Sequence, residues 1–147
     1  MDLKQLYQDI ILEHGKSPRN LGKCEGYSHE AKGYNPLCGD KVHVYLKLNT
    51  EKKVENLTFE GDGCAISLAS ASIMTELVKG RSINDTKEIM SAFLNMIKNT
   101  SEMNSNHLDD DQKTKIMSLS GVKQFPMRVK CATLSWHTLN SAMDEKK

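Results

Sequence analysis

The chain has 147 residues, 38% hydrophobic and 27% charged, with 20 Lys and Arg against 19 Asp and Glu. A chain of this length buries roughly 70% of its unfolded surface, which predicts one domain over 1–147 that needs no disulfide or metal merely to fold. The even charge balance speaks against a dedicated nucleic-acid binder, and the lack of any long apolar run excludes a helical membrane span.

Met1-Asp2-Leu3-Lys4-Gln5 has neither the basic nor the apolar region of an export signal, so a cytoplasmic protein is expected. Cys24, Cys38, Cys64 and Cys131 are then thiols in a reducing compartment: core residues, metal ligands or nucleophiles. Only three of the basic residues are Arg, namely Arg19, Arg81 and Arg128, which hints that each is kept for its planar fork.

Leu3, Leu6, Tyr7, Ile10, Ile11 and His14 recur with helical spacing, predicting a helix opened by Asp2 and closed near Gly15. The stretch 15–39 is rich in Gly, Pro, Asn and Ser, with at most a short strand around 27–32. Over 41–48 the pattern alternates, with Val42, Val44, Leu46 and Leu48 inward and Lys41, His43, Tyr45 and Lys47 outward. A turn at 49–53 and a second strand over 54–60 complete an antiparallel hairpin with one wet face.

After Gly61-Asp62-Gly63 the period changes to helical over 65–79, where small residues (Ala65, Ser67, Ala69 to Ser72) permit close packing and Gly80 ends the run. Ser82 and Asp85 resemble a capping box for a helix burying Ile89, Met90, Phe93, Leu94 and Ile97. The segment 99–111 is polar, and Asp109-Asp110-Asp111 either caps a short helix through Leu119 or, as the simpler reading, is a solvated loop and helix start. A last helix covers roughly 129–143. The fold class is α+β, a small antiparallel sheet with helices packed on one side.

Each of three cysteines falls at a junction. Cys38 sits on a Pro36/Gly39 loop before a strand. Cys64 leaves a Gly-x-Gly turn for a helix, near the positive end of its dipole. Cys131 is expected to begin the last helix. If these junctions converge, three thiolates and the Asp40 carboxylate form a tetrahedral set that suits Zn²⁺, with iron as competitor. No Cys-x₂-Cys pair is present, and an unreactive buried thiol is the competing reading for any one cysteine. Cys24 reads as an incidental thiol. His14, His29, His43, His107 and His137 read as surface residues, and none has the context of a base for a Cys–His hydrolase.

These motifs together resemble the U-type iron–sulfur assembly proteins, and within them the SufU branch. The resemblance runs through Tyr7, Glu13-His14, Pro18-Arg19-Asn20, Asn35-Pro36-Leu37-Cys38-Gly39-Asp40, Gly61-Asp62-Gly63-Cys64-Ala65-Ile66-Ser67 and Ala69-Ser70. It continues in Gly121-Val122, Phe125-Pro126, Arg128-Val129-Lys130-Cys131-Ala132, Leu134 and Trp136. The long segment 65–130 and Lys130, where scaffolds of the IscU kind carry His, point to SufU. The resemblance implies a SufU/IscU-like fold and a zinc protein that accepts sulfane sulfur from a cysteine desulfurase of the SufS type. That sulfur then passes to downstream Fe–S assembly machinery, with no nucleic-acid or membrane partner.

Carried over by position, the resemblance makes Cys38, Asp40, Cys64 and Cys131 the metal ligands and Cys38 the sulfur acceptor. Lys130 and Arg128 sit where they could offset the charge of that ligand set, a solvated role being the equal alternative for Lys130. Two alternatives stay open: a scaffold assembling a [2Fe–2S] cluster on the same ligands, and an interaction domain whose zinc is structural.

Overall fold

The computed structural model describes residues 3–37, 39–98 and 107–144. Strands β1 (His29–Asn35), β2 (Asp40–Leu48) and β3 (Val54–Asp62) form an antiparallel sheet in the order β1-β2-β3. The expected hairpin is β2–β3, with both strands longer than their hydrophobic patterns. The short strand expected around 27–32 lies further along, because β1 is fixed by pairing from His29↔Leu46 to Asn35↔Asp40 rather than by its own composition. Across β2 and β3 the pairs Val44↔Phe59 and Leu46↔Leu57 are fully buried on the helix-covered face.

Tyr45 lies on the other face of the sheet, yet it is buried rather than wet. Its ring stacks on His43 at 4.1 Å and meets Tyr27 at 5.3 Å. Its hydroxyl donates to Glu60 Oε1 at 2.5 Å, and that bond, with burial next, pushes the phenol up to about 12.

Helix α1 (Leu3–Lys16) ends one residue past Gly15, close to the expected stop. A Cβ on Gly15 would sit 3.3 Å from both Cβ and the carbonyl oxygen of Ala65, so this glycine serves a close helix–helix approach. Helix α2 (Ala65–Val78) buries Ala69, Ser70, Ala71 and Ser72, and Gly80 closes it at φ 89°. In α3 (Ile83–Lys98) the Asp85 amide donates to Ser82 Oγ at 3.1 Å, and Met96 takes the fully buried place expected of Leu94, which is half-buried.

Helix α4 (Asp110–Met117) starts at a reciprocal capping box between Asp109 and Gln112, and a 3₁₀ segment (Ser118–Gln124) follows. Part of the expected polar stretch, 99–106, lies outside the described residues. Helix α5 (Pro126–Asp144) begins three residues before the expected start, because Pro126 is preorganised for a first helical position. Among the described residues no helix is long and apolar enough to cross a membrane.

The core forms where α2, α3 and α5 meet the sheet. Trp136 is fully buried, stacks on Phe93 at 4.4 Å and donates its indole N–H to Ser70 Oγ at 3.0 Å. Side chains of this kind contribute roughly 1.5–3 kcal/mol each when fully buried. His14, expected at the surface, is instead 2% exposed and ties α1 to α2. Its Nδ1 lies 2.7 Å from Ser72 Oγ and its Nε2 3.5 Å from Glu76 Oε1. Burial first, and then the charge of Arg19, holds its imidazole below the ordinary value.

Two outcomes follow from this packing. Helix α5 crosses β1 at Gly33, where a Cβ would come 2.1 Å from Thr138 Oγ1 and 3.0 Å from Leu134 Cδ1. Gly33→Ala is expected to cost about 1–3 kcal/mol in urea unfolding, and Thr138→Ala in the same chain to recover part of it. For His14, the unfolded chain binds the proton more readily than the folded one. Stability is therefore expected to be full above about pH 6.5 and to fall as the pH drops from there through the lowered folded value. Thermal melts between these limits should show a shallower slope for His14→Gln.

Candidate metal centre

The period-two alternation of β2 runs backwards from Val42 to Asp40, so a carboxylate takes the first inward position of a strand otherwise apolar on that face. Asp40 is 1% exposed. Its Oδ1 accepts the Cys64 backbone N–H at 3.1 Å, whereas its buried Oδ2 has no hydrogen-bond partner. The Gly-x-Gly turn makes this approach possible. A Cβ on Gly63 would lie 2.5 Å from Asp40 Oδ1, and one on Gly61 would lie 2.8 Å from the Lys41 carbonyl oxygen.

Cys64 is the N-cap of α2, in extended conformation and without a side-chain cap bond, so its sulfur stays at the positive end of the helix. Cys131 departs from expectation. With α5 starting at Pro126, it sits in the second turn rather than at the opening, fully buried, and its thiol donates to the Met127 carbonyl at 3.6 Å. The dipole argument therefore applies to Cys64 and not to Cys131.

The ligand atoms of Asp40, Cys64 and Cys131 all lie within 4.8 Å of one another, so three of the four sequence-predicted ligands converge. Cys38 lies outside the described residues. Its chain neighbours are placed: the Leu37 amide donates to Asn35 Oδ1 at 3.2 Å and the Gly39 amide to the Asn35 carbonyl at 2.8 Å. Ligand atoms around a tetrahedral zinc stand about 3.5–3.8 Å apart, so small side-chain rotations bring this set to metal distance. A buried carboxylate oxygen without a partner, beside two sulfurs, is a donor set that fits a borderline-soft dication.

Arg128 stands one helical turn before Cys131. The negative charge of Cys64, then a hydrogen bond to Cys131 and its charge, hold the guanidinium above its ordinary value. Lys130 is exposed. Cys24 is apart from the cluster: it is 3% exposed, accepts from Asn56 Nδ2 at 3.4 Å and serves as a core thiol. None of the described histidines joins the cluster. His43 pairs with Glu30 at 3.0 Å, and His107 with Glu88. The residue that sequence reading left without a role is Asn35, buried opposite Asp40. Its signal was the same alternation, carried one pair further across the hairpin.

Residues 6–132 match the profile of the NifU-like N terminal domain family. The zinc-dependent sulfurtransferase SufU of Bacillus subtilis is 38% identical over 146 residues, 99% of this chain and 95% of that protein. The iron–sulfur cluster assembly scaffold protein IscU of Thermotoga maritima is 36% identical over 144 residues, covering 97% and 96%. Among solved structures, the putative iron–sulfur cluster assembly scaffold protein for the SUF system of Fervidobacterium islandicum superimposes with a TM-score of 0.83. It is 34% identical, with 95% of this chain and 98% of that one covered. The small antiparallel sheet with helices on one side is thus the SufU/IscU-like fold.

Asp40→Asn keeps an oxygen for the Cys64 amide and removes the charge. Affinity for a divalent metal, read with Zn²⁺ against a chromophoric chelator, is expected to fall by more than about tenfold, since even outer-shell partners carry that much. The metal-free melting temperature should hold or rise, because an uncompensated buried charge is gone. Undiminished affinity would remove Asp40 from the ligand set.

Proposed function

We propose, for a chain that belongs to the family of NifU-like N-terminal domains, that it is a cytoplasmic zinc-dependent sulfur acceptor serving iron–sulfur cluster assembly. Cys38, Asp40, Cys64 and Cys131 hold the metal, and Cys38 takes up the sulfur. The donor is the persulfide of a cysteine desulfurase of the SufS type, and the recipient is the downstream assembly machinery. The observation that carries this reading is the buried Asp40 carboxylate, with one oxygen unpartnered, among two converging thiols. The Bacillus subtilis relative, similar over nearly its whole length, supports zinc over other cations.

Zn²⁺, when bound, keeps thiols deprotonated at neutral pH and does no electron transfer. The remaining work falls to the chain's own residues. Asp40 fixes the turn before α2 by accepting the Cys64 amide, so Cys64 is presented by a packed helix. Cys131 is presented by another, from within its second turn. Three thiolates and a carboxylate leave the loaded site formally anionic, and Arg128 offsets that charge from one turn away.

Cys38, whose chain neighbours Leu37 and Gly39 lie in the β1–β2 turn, is the ligand to be released. Its thiolate attacks the outer sulfur of the donor persulfide. A sulfur–sulfur bond forms at Cys38 as the donor's breaks, and the donor cysteine departs as thiolate. The oxidation level travels with the sulfur, so no external oxidant is required. Leu37, Phe125 and Met127 leave large apolar side chains in water beside the ligand-bearing segments, as a transient protein contact needs.

Assembly of a [2Fe–2S] cluster on the same ligands is the second reading, favoured by the Thermotoga maritima relative. Lys130 beside Cys131, in the place of the scaffold histidine, counts against it.

After incubation with a cysteine desulfurase and cysteine, mass spectrometry is expected to find the extra sulfur on Cys38. Cys38→Ser should abolish both the label and any stimulation of cysteine turnover, and Cys24→Ser should leave them intact. Label on Cys131 or Cys24, with Cys38→Ser fully active, would overturn the assignment. Protein purified brown, with iron in place of zinc, would favour the scaffold reading.

A further inference from the structure

We infer that Asn35 is a positioning residue of the metal centre, its carboxamide joining the backbone at Leu37, next to Cys38 in sequence, to the sulfur of Cys131. The inference rests on the function proposed above and concerns a residue outside its ligand set.

Asn35 closes the β1–β2 hairpin as the cross-strand partner of Asp40. Directly opposed residues of an antiparallel pair point to the same face, so both polar side chains turn toward the helices, and both are buried. A buried carboxamide must place its oxygen and its N–H₂. Oδ1 accepts the Leu37 amide at 3.2 Å, and the Asn35 backbone carbonyl accepts the Gly39 amide at 2.8 Å. The two chain neighbours of Cys38 therefore hang from one residue. The other end of the carboxamide, Nδ2, faces Cys131 Sγ at 4.0 Å, the outer limit of an N–H···S bond. A thiolate draws such a donor closer than a thiol does.

The chemistry explains why this position is Asn. The turn alone needs only an acceptor, which Asp supplies equally well. A donor toward sulfur needs the amide. A carboxylate there would instead place a second negative charge beside Asp40 and two thiolates. Donors of this kind orient ligands and tune the metal they hold.

Asn35→Asp and Asn35→Ala separate the two roles. In the metal-free protein, hydrogen exchange of the Leu37 amide should accelerate in Asn35→Ala and stay near wild type in Asn35→Asp. Zinc affinity, read by chelator competition, should fall roughly 10–100-fold in both. In Co²⁺-substituted protein both should move the sulfur-to-metal charge-transfer band to longer wavelength while keeping tetrahedral d–d bands. A merely structural residue would shift melting temperature without moving that band.

Wild-type affinity and an unshifted band in Asn35→Asp would overturn the role toward sulfur, as would tighter binding, which would make the new carboxylate a ligand. Failure of the unmodified protein to bind zinc or cobalt would overturn the proposed function itself, and this inference with it.

Discussion

A carboxylate taken out of water must find a partner for each oxygen or give up its charge. Asp40 meets half of that demand within the chain, through the Cys64 amide, and the other half stays open at Oδ2. Two thiols within 4.8 Å complete a donor set that fits a dication. Much of the local architecture follows from this constraint. The turn before α2 must come close enough for its amide to reach Oδ1, which forces glycine at 63. The β3 backbone must likewise pass the Lys41 carbonyl, which forces glycine at 61.

The described candidate ligands, Asp40, Cys64 and Cys131, are each held by secondary structure. Cys64 caps one helix and Cys131 lies in another, and these helices are buried through Ala69, Ser70 and Trp136. Moving either sulfur further than a side-chain rotation allows means moving a helix. Asp40 is anchored by strand pairing on both sides, to Asn35 and through Lys41 to Asp62. The described chain neighbours of Cys38, Leu37 and Gly39, bond to Asn35.

Close backbone approach recurs away from the site as well. Gly15 lets α1 press on the start of α2, and Gly33 lets α5 lie directly on β1. Behind the first of these contacts, His14 and Ser72 join the two helices, and Ser72 also accepts the Arg19 amide at 2.8 Å. A polar link buried this deeply fixes the relative register of α1 and α2 more narrowly than apolar packing does. The start of α2, where Cys64 lies, is placed by the same contacts.

The sequence by itself determined the hairpin of β2 and β3, the helices and the identity of the candidate ligands. Each of these is written in local periodicity, capping residues and contiguous motifs. The strand β1 was legible only in part, because its pairing with β2, rather than the propensity of His29 to Asn35, holds it extended. The start of α5 and the depth of Cys131 depended on Pro126, one residue outweighed by a longer pattern. His14 carried no mark of burial, since a histidine on a helix face becomes buried only when another helix arrives. Asn35 gained its place opposite Asp40 in the same way. Tertiary structure decided these features because burial and cross-strand register depend on elements distant in the chain, which local spacing does not encode.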